Sequence, residues 1–282
     1  MIEGKRILEF LAEDLGFGDV TTEALIPEEI KARAVILAKQ AGVIAGIDEV
    51  SAIFRLFNLK IRTFVTDGSK VERPKTIVME VEGLAKFILM CERVALNILM
   101  RMSGIATLTA KFVEKARKVN SKVLVACTRK TTPGFRYFEK KAVMMGGGDT
   151  HRFRLDDMVL IKDNHIKIVG SVGRAVKMAR EKVSFSKKVE VEVSSLKDAL
   201  EACEAGADIL MLDNMAPNEV KRVIDELKSR GLRKQVLIEV SGGVNLDNVQ
   251  TYASTGVDII SVGMLTHSAP ALDMSLEVVE IW

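Results

Sequence analysis

The stretch Val189-Glu190-Val191-Glu192-Val193, followed by Leu196–Ala205 and then by Ile209-Leu210-Met211-Leu212-Asp213-Asn214, carries the pattern that decides the fold. Two short aliphatic runs flank a segment of helical periodicity, which spells a strand–helix–strand unit. The pattern extends in both directions. Val123–Cys127, Val159–Lys162, Val236–Val240 and Ile259–Val262 are further strand-like runs, and Val172–Lys182, Asn218–Ser229 and Leu246–Ser254 are amphipathic. The runs are continuously apolar rather than alternating, as parallel strands buried on both faces are. Six such strands after Gly104 suit an incomplete β/α barrel or an open doubly wound sheet.

The residues before Gly104 read differently. Helical periodicity over Ile2 to Asp14 leads to a loop, Gly16–Thr22, and then to strands at Ala34–Lys39, Ile61–Thr66 and Ile77–Val81. An apolar helix from Ala85 to about Arg101 follows, hydrophobic on most of its circumference and so expected between layers or subunits. The reading is therefore an N-terminal α+β domain over 1–103 and an α/β barrel over 104–267, with the tail 268–282 packing on the first domain.

Composition narrows the function. A net charge of +3 is too small to imply a polyanion partner, so any basic site must come from local clustering. Aromatic residues are only 5% and carboxylates are interleaved with the cations, which disfavours nucleic-acid binding. Cys91, Cys127 and Cys203 cannot all pair, and none forms a Cys-x-x-Cys motif, so neither a disulfide framework nor a zinc site is expected. No apolar run reaches membrane-spanning length and the N-terminus lacks a signal-peptide pattern, so a cytoplasmic protein without membrane partners is expected.

Polar residues gather where the apolar runs end: Thr128-Arg129-Lys130, Lys162-Asp163, Glu192, Asp213-Asn214, Ser241-Gly242-Gly243 and Gly263. In a β/α barrel those ends share one face, where binding and chemistry occur. Each group also has a plainer reading. Arg129 and Lys130 could be solvated, Asp213 could cap the next helix, and Gly146-Gly147-Gly148 could be only a flexible loop. Glu190 and Glu192 stand on one face of their strand, and an inward carboxylate needs a partner because uncompensated desolvation costs several kcal/mol. Ser241-Gly242-Gly243 could cradle a phosphate on backbone N–H groups. His151, His165 and His267 all follow glycine-loop or strand-end segments.

Cys127-Thr128-Arg129-Lys130-Thr131-Thr132-Pro133-Gly134-Phe135-Arg136 resembles the Thr-Arg-Lys-Thr-x-Pro-Gly-x-Arg segment of the quinolinate phosphoribosyltransferases. The likeness continues through Gly146–Gly148, His151-Arg152, Leu160–His165, Glu190–Val193, Leu212–Asn214, Glu239–Gly243 and Gly263–Ser268. Upstream, Gly16–Thr22, Glu92-Arg93 and Ser103–Thr107 also fit. Cys127 stands where many relatives carry an acid.

The resemblance implies a barrel of the type II phosphoribosyltransferase kind and transfer of a phosphoribosyl group from phosphoribosyl pyrophosphate (PRPP) to quinolinate. The products would be nicotinate mononucleotide, pyrophosphate and CO2. Its nearest alternative is a nicotinate-type or molybdate-transport-associated paralogue. It also implies a homodimer, possibly assembling further, in which Arg93 reaches the partner's site. Thr128, Arg129, Lys130, His151, Arg152 and Lys162 would bind the dicarboxylate and phosphates. Ser241, Gly242, Gly243, Val262, Gly263, Met264 and His267 would complete the substrate site. Lys130, Glu192 and Asp213 would be catalytic, the two acids also holding Mg2+ with PRPP, and no organic cofactor is implied.

Overall fold

A computed structural model describes residues 2–282, and the chain divides into two compact units. The elements of the N-terminal part are α1 (Ile2–Leu15), α2 (Val20–Leu25), β1 (Lys31–Ala38), β2 (Gly42–Val43), α3 (Ile47–Leu56), β3 (Lys60–Thr63), β4 (Lys70–Val71), β5 (Thr76–Leu84) and α4 (Ala85–Arg117). Then come β6 (Leu124–Ala126), α5 (Arg136–Met145), β7 (Val159–Ile161), α6 (Asp163–Val169), α7 (Val172–Lys182) and β8 (Val189–Val193). The chain continues through α8 (Leu196–Glu204), β9 (Ile209–Asp213), α9 (Pro217–Ser229), β10 (Leu237–Ser241), α10 (Val249–Ala253), β11 (Ile259–Ser261), α11 (Met264–His267) and β12 (Met274–Ile281).

The first unit combines the residues up to Ala110 with Thr132–Gly147 and Ser268–Trp282. Its main sheet is antiparallel in the order β12-β1-β5-β3. Residues 132–147, including α5, thus belong with the first unit although they lie between two strands of the second. The helix read as ending near Arg101 runs on to Arg117, through Ser103 and Gly104. Ser103 stays in the helix with its hydroxyl turned sideways, accepting from Ala45 N–H at 3.0 Å and facing the Ala45 carbonyl at 3.2 Å. Gly104 is there for close approach, since a Cβ would overlap the Pro270 carbonyl.

The second unit comprises Lys111–Thr131 and Gly148–His267 and holds a six-stranded parallel sheet in the order β6-β11-β10-β9-β8-β7. From β7 to β11 the strands follow chain order without reversal, and β6 closes onto β11. That winding is a barrel rather than a doubly wound sheet, whose strand order reverses at a switch point. A seventh position is filled by a single residue. Asp149 bridges Ala126 in parallel, donating its N–H to Val125 O at 2.8 Å and accepting from Cys127 N–H at 3.0 Å. The ring is open between Asp149 and β7. The layer between sheet and helices is aliphatic, with Val191, Leu210, Leu212, Ile238, Val223 and Ile224 all fully buried.

Candidate active site

The carboxyl ends of the parallel strands enclose a cavity of about 570 Å3, lined entirely by residues of the second unit. Thr128, Arg129 and Lys130 come from the turn after β6, and His151 and Arg152 from the segment after the Asp149 bridge. Lys162 follows β7, Glu192 lies on β8, Asp213 ends β9, and Ser241, Gly242 and Gly243 follow β10. Eleven of the residues proposed from sequence therefore meet at one place.

Val262, Gly263, Met264 and His267 do not line it. Val262 is buried, and its N–H is spent on Ala126 O at 2.8 Å. Gly263 packs where a Cβ would come within 3.3 Å of the Lys130 side chain and 3.2 Å of His267 Nε2. Met264 and His267 belong to the short α11, which begins directly after Gly263. Arg93, on α4 of the first unit, is exposed, and among the described residues no carboxylate lies within ion-pair distance of it. Within its own chain Arg93 faces water, as does Asn97 one turn further along the helix.

Local structure fixes each functional group. Thr128 Oγ1 accepts from Lys130 N–H at 3.1 Å and Thr266 Oγ1 donates to Lys130 O at 2.8 Å, so the turn is tied from both sides. Gly242 and Gly243 have φ of +91° and +63°, a conformation that turns the chain sharply after β10 and favours glycine. A Cβ at Gly242 would also overlap the Asn214 side chain. Asp213 does not cap a helix: α9 is capped instead by Glu219, whose carboxylate accepts from Ala216 N–H at 2.9 Å. The Asp213 side chain accepts from Asn214 Nδ2 at 2.9 Å and faces the cavity.

The electrostatics are uneven. Lys162 Nζ meets Glu192 Oε1 at 2.5 Å. Arg129 has no such relief, and its buried Nε lacks any hydrogen-bond partner. Burial pushes the Arg152 guanidinium down, and repulsion from Arg129 adds to it; Glu190 and Glu192 pull the other way. Two guanidiniums thus line one wall of the cavity and repel each other there.

Sequence reasoning undervalued Glu239, which lines the cavity while fully buried, and Glu190, its neighbour in the same cluster. The signal for Glu239 was present. It stands two residues before Ser241 on the same strand, as Glu190 stands two before Glu192, and alternation puts each pair on one face. Burial raises Glu190 to about 7, and the Glu239 charge adds to the rise against the pull of His151. Burial alone would lower His151, but the Glu190 and Glu239 carboxylates beside it outweigh that and push it well up.

Family models for the quinolinate phosphoribosyl transferase N-terminal domain and C-terminal domain match residues 19–103 and 105–277. The chain belongs to the quinolinate phosphoribosyltransferase family. It is 51% identical to a probable nicotinate-nucleotide pyrophosphorylase [carboxylating] of Methanothermobacter thermautotrophicus, over 96% of this chain and 97% of that one. The human nicotinate-nucleotide pyrophosphorylase [carboxylating] is 45% identical over 90% of this chain and 84% of its own. Among solved structures, NadC from Streptococcus pyogenes superposes with a TM-score of 0.90 at 39% identity, covering 97% of this chain and 96% of that one. Human nicotinic acid phosphoribosyltransferase, 12% identical with a TM-score of 0.65, shares the fold alone. Among the described residues no helix is long and apolar enough to cross a membrane.

Proposed function

We propose that this chain transfers the phosphoribosyl group of PRPP to the ring nitrogen of quinolinate, with loss of the 2-carboxylate as CO2, in de novo NAD synthesis. The observation that carries the reading is the convergence of four cations, Arg129, Lys130, Arg152 and Lys162, on one cavity, with the buried Nε of Arg129 left without a hydrogen-bond partner. A dicarboxylate matches that cationic wall, and guanidinium groups hold carboxylates in paired hydrogen bonds. Gly242 and Gly243 suit the phosphate of the ribosyl donor.

The acids serve the other half of the reaction. As pyrophosphate leaves C1 of the ribose, positive charge builds on the sugar, and Glu192 and Asp213 stabilise it from the ends of adjacent strands. The same two carboxylates fit Mg2+, which takes hard oxygen ligands and keeps substrate phosphates and waters in its shell. Glu192 has Oε2 left over after Oε1 meets Lys162. Bound there with the donor, the ion would neutralise the departing diphosphate. Lys130, at the solvent edge of the turn, is placed to accompany it. Once N1 is alkylated, the cationic ring stabilises the carbanion left by departing CO2, so no protein nucleophile is required.

Incubating the purified protein with quinolinate, PRPP and Mg2+ tests this: nicotinate mononucleotide and CO2 are the expected products, and their absence refutes the reading. A homodimer with Arg93 acting across the interface is part of the proposal, supported by the exposure of Arg93 and its lack of an acidic partner. Mixing inactive Arg93→Ala with inactive Lys130→Ala subunits should restore activity towards half the wild-type value per heterodimer. Activity that stays at background after subunit exchange, verified by mass spectrometry, places Arg93 in its own chain's site.

A further inference from the structure

Asn214 follows the acid that ends β9, and it lines the cavity in an uncommon conformation. It is exposed there, with φ at +54°, in the left-handed region. The backbone is pinned on both sides of this side chain. Asn214 N–H donates to Ser241 O at 2.9 Å, one residue past the Asp213–Ser241 pairing of the sheet. The carbonyl of the next residue, buried Met215, accepts from the Tyr252 hydroxyl at 3.2 Å. Glycine adopts left-handed backbone without steric cost, and asparagine and aspartate tolerate it better than other side chains. The backbone therefore narrows the choice to these three residue types, and the side chain decides among them.

Asp213 presents a carboxylate, which accepts and does not donate, so the atom 2.9 Å from its Oδ2 is the donating Nδ2 of Asn214. That orients the whole amide. Its Oδ1 is turned to Gly242, close enough that a Cβ on Gly242 would overlap it. The amide is thus wedged between the Asp213 carboxylate and the glycine turn after β10. Glycine at this position would leave Oδ2 without its donor. Aspartate would set a second carboxylate against the first, with like charges in contact. Asparagine alone meets the needs of the backbone and of the carboxylate together. With Oδ2 held, Oδ1 of Asp213 is the oxygen presented to the cavity, and its direction is set before any ligand arrives. A charge fixed in advance needs no reorganisation as the transition state forms, and that is where electrostatic catalysis gains most.

We propose that Asn214 is a positioning residue for Asp213, holding the carboxylate in the orientation that meets the ribosyl group of PRPP. This rests on the reading of Asp213 as an acid facing the ribose. Through its contact with Gly242 the same amide sets that carboxylate in register with the turn suited to the donor's phosphate. One side chain thus aligns both parts of the donor's seat, and it leaves quinolinate binding alone.

Asn214→Gly tests it, because glycine keeps the left-handed backbone and the N–H to Ser241 while removing only the amide. Its kcat should fall roughly 10-fold or more, the scale of a small displacement of a catalytic group, with quinolinate affinity by calorimetry little changed. If Asn214 serves the turn alone, the glycine variant keeps the wild-type kcat, and that result overturns the proposal. So does a loss of quinolinate affinity that accounts for the whole fall in kcat/KM. Asn214→Asp, of the same size and backbone preference, should lose at least as much as the glycine variant. In an Asp213→Asn background Asn214→Gly should have almost no further effect, because it acts through the Asp213 carboxylate. A full multiplicative loss in that double variant overturns the proposal. If Asn214→Gly fails to fold, Asn214→Asp with wild-type kcat overturns it equally. A wild type that makes no nicotinate mononucleotide refutes the assigned reaction instead. The hold on Asp213 is then read from a crystal structure of Asn214→Gly, where the carboxylate should be rotated or spread over several rotamers. An Asp213 side chain left in its single wild-type orientation sinks the proposal on its own.

Discussion

Two regions of this molecule take charge out of water, and they do so in opposite ways. In the first unit Lys141 of α5 is ringed by acids, with Glu49 at 2.8 Å and Asp48 and Asp67 each at 3.3 Å. Burial works against its charge, yet Glu49 and Asp67 hold the amine well above the ordinary lysine range. Beside it in sequence, Glu139 is fully buried but meets Arg101 at 2.8 Å and the Thr132 N–H at 3.0 Å. Around the barrel cavity, by contrast, the Arg129 Nε has no partner and Arg152 is pushed down. A balanced buried charge holds a fold together, whereas an unbalanced one waits for a ligand. The difference separates structure from site without reference to conservation.

Five substitutions sharpen or break that contrast. The largest effect should come from Glu192→Gln or Asp213→Asn, which remove charge facing the ribosyl cation. Turnover should fall on the order of 10²–10³-fold, the scale for losing one transition-state electrostatic contact. Quinolinate affinity should change far less, and titration calorimetry beside steady-state rates reads both. Arg129→Ala should weaken quinolinate binding by roughly 2–4 kcal/mol with the fold intact, as for a desolvated charge-assisted pair. Unchanged binding in a folded protein would remove Arg129 from the site. Lys141→Met should do the reverse. Denaturant melts should show a loss of about 2–3 kcal/mol, since it strands buried acids, while kcat/KM per folded molecule stays at the wild-type value.

The smallest effect concerns Asp208, between β8 and β9. Burial alone would raise it, but Arg180 Nη2 at 2.5 Å and the Val189 N–H at 2.7 Å hold it below the ordinary 3.8. An acid with a lowered folded value stabilises the fold above its unfolded value and loses that contribution as pH falls through the folded one. Asp208→Asn should therefore be less stable by on the order of 1 kcal/mol at neutral pH, discounted for its partial exposure. The gap should close below about pH 4. A gap that persists at low pH would show that the carboxylate's charge is not what matters.

The barrel was the most legible part. Val189–Val193 and Val172–Lys182 are found where the periodicity put them, because continuous aliphatic runs and amphipathic helices are written in side-chain chemistry alone. Less legible were features that depend on what comes from elsewhere in the chain. The seventh barrel position is one residue, Asp149, with no apolar run to announce it. Gly104 reads as a breaker until Pro270 is seen against it. Within the site, the cations and strand-end acids were visible as residue types. The cluster of His151 with the buried Glu190 and Glu239 was not, because it depends on which side chains packing brings together from three different strands and loops. The exposure of Arg93 was illegible for the same reason, since whether one residue of an apolar helix faces water is decided by packing and not by its neighbours in sequence.

The pairing of the strands bears on how the chain is made. β6 lies next to β11, joining Leu124 to Ile259, and β1 lies next to β12, joining Ala32 to Ile281. A ribosome releases the earlier partner of each pair long before the later one. β1 therefore emerges without one neighbour and must wait, with the Ala32–Ala38 edge unprotected, until the strand at Met274–Ile281 arrives. Contacts of such separation slow folding and lengthen the time in which open edges can pair wrongly. The nascent chain thus faces its greatest hazard late in synthesis, and a chaperone that shields strand edges is the cellular factor on which its yield should most depend.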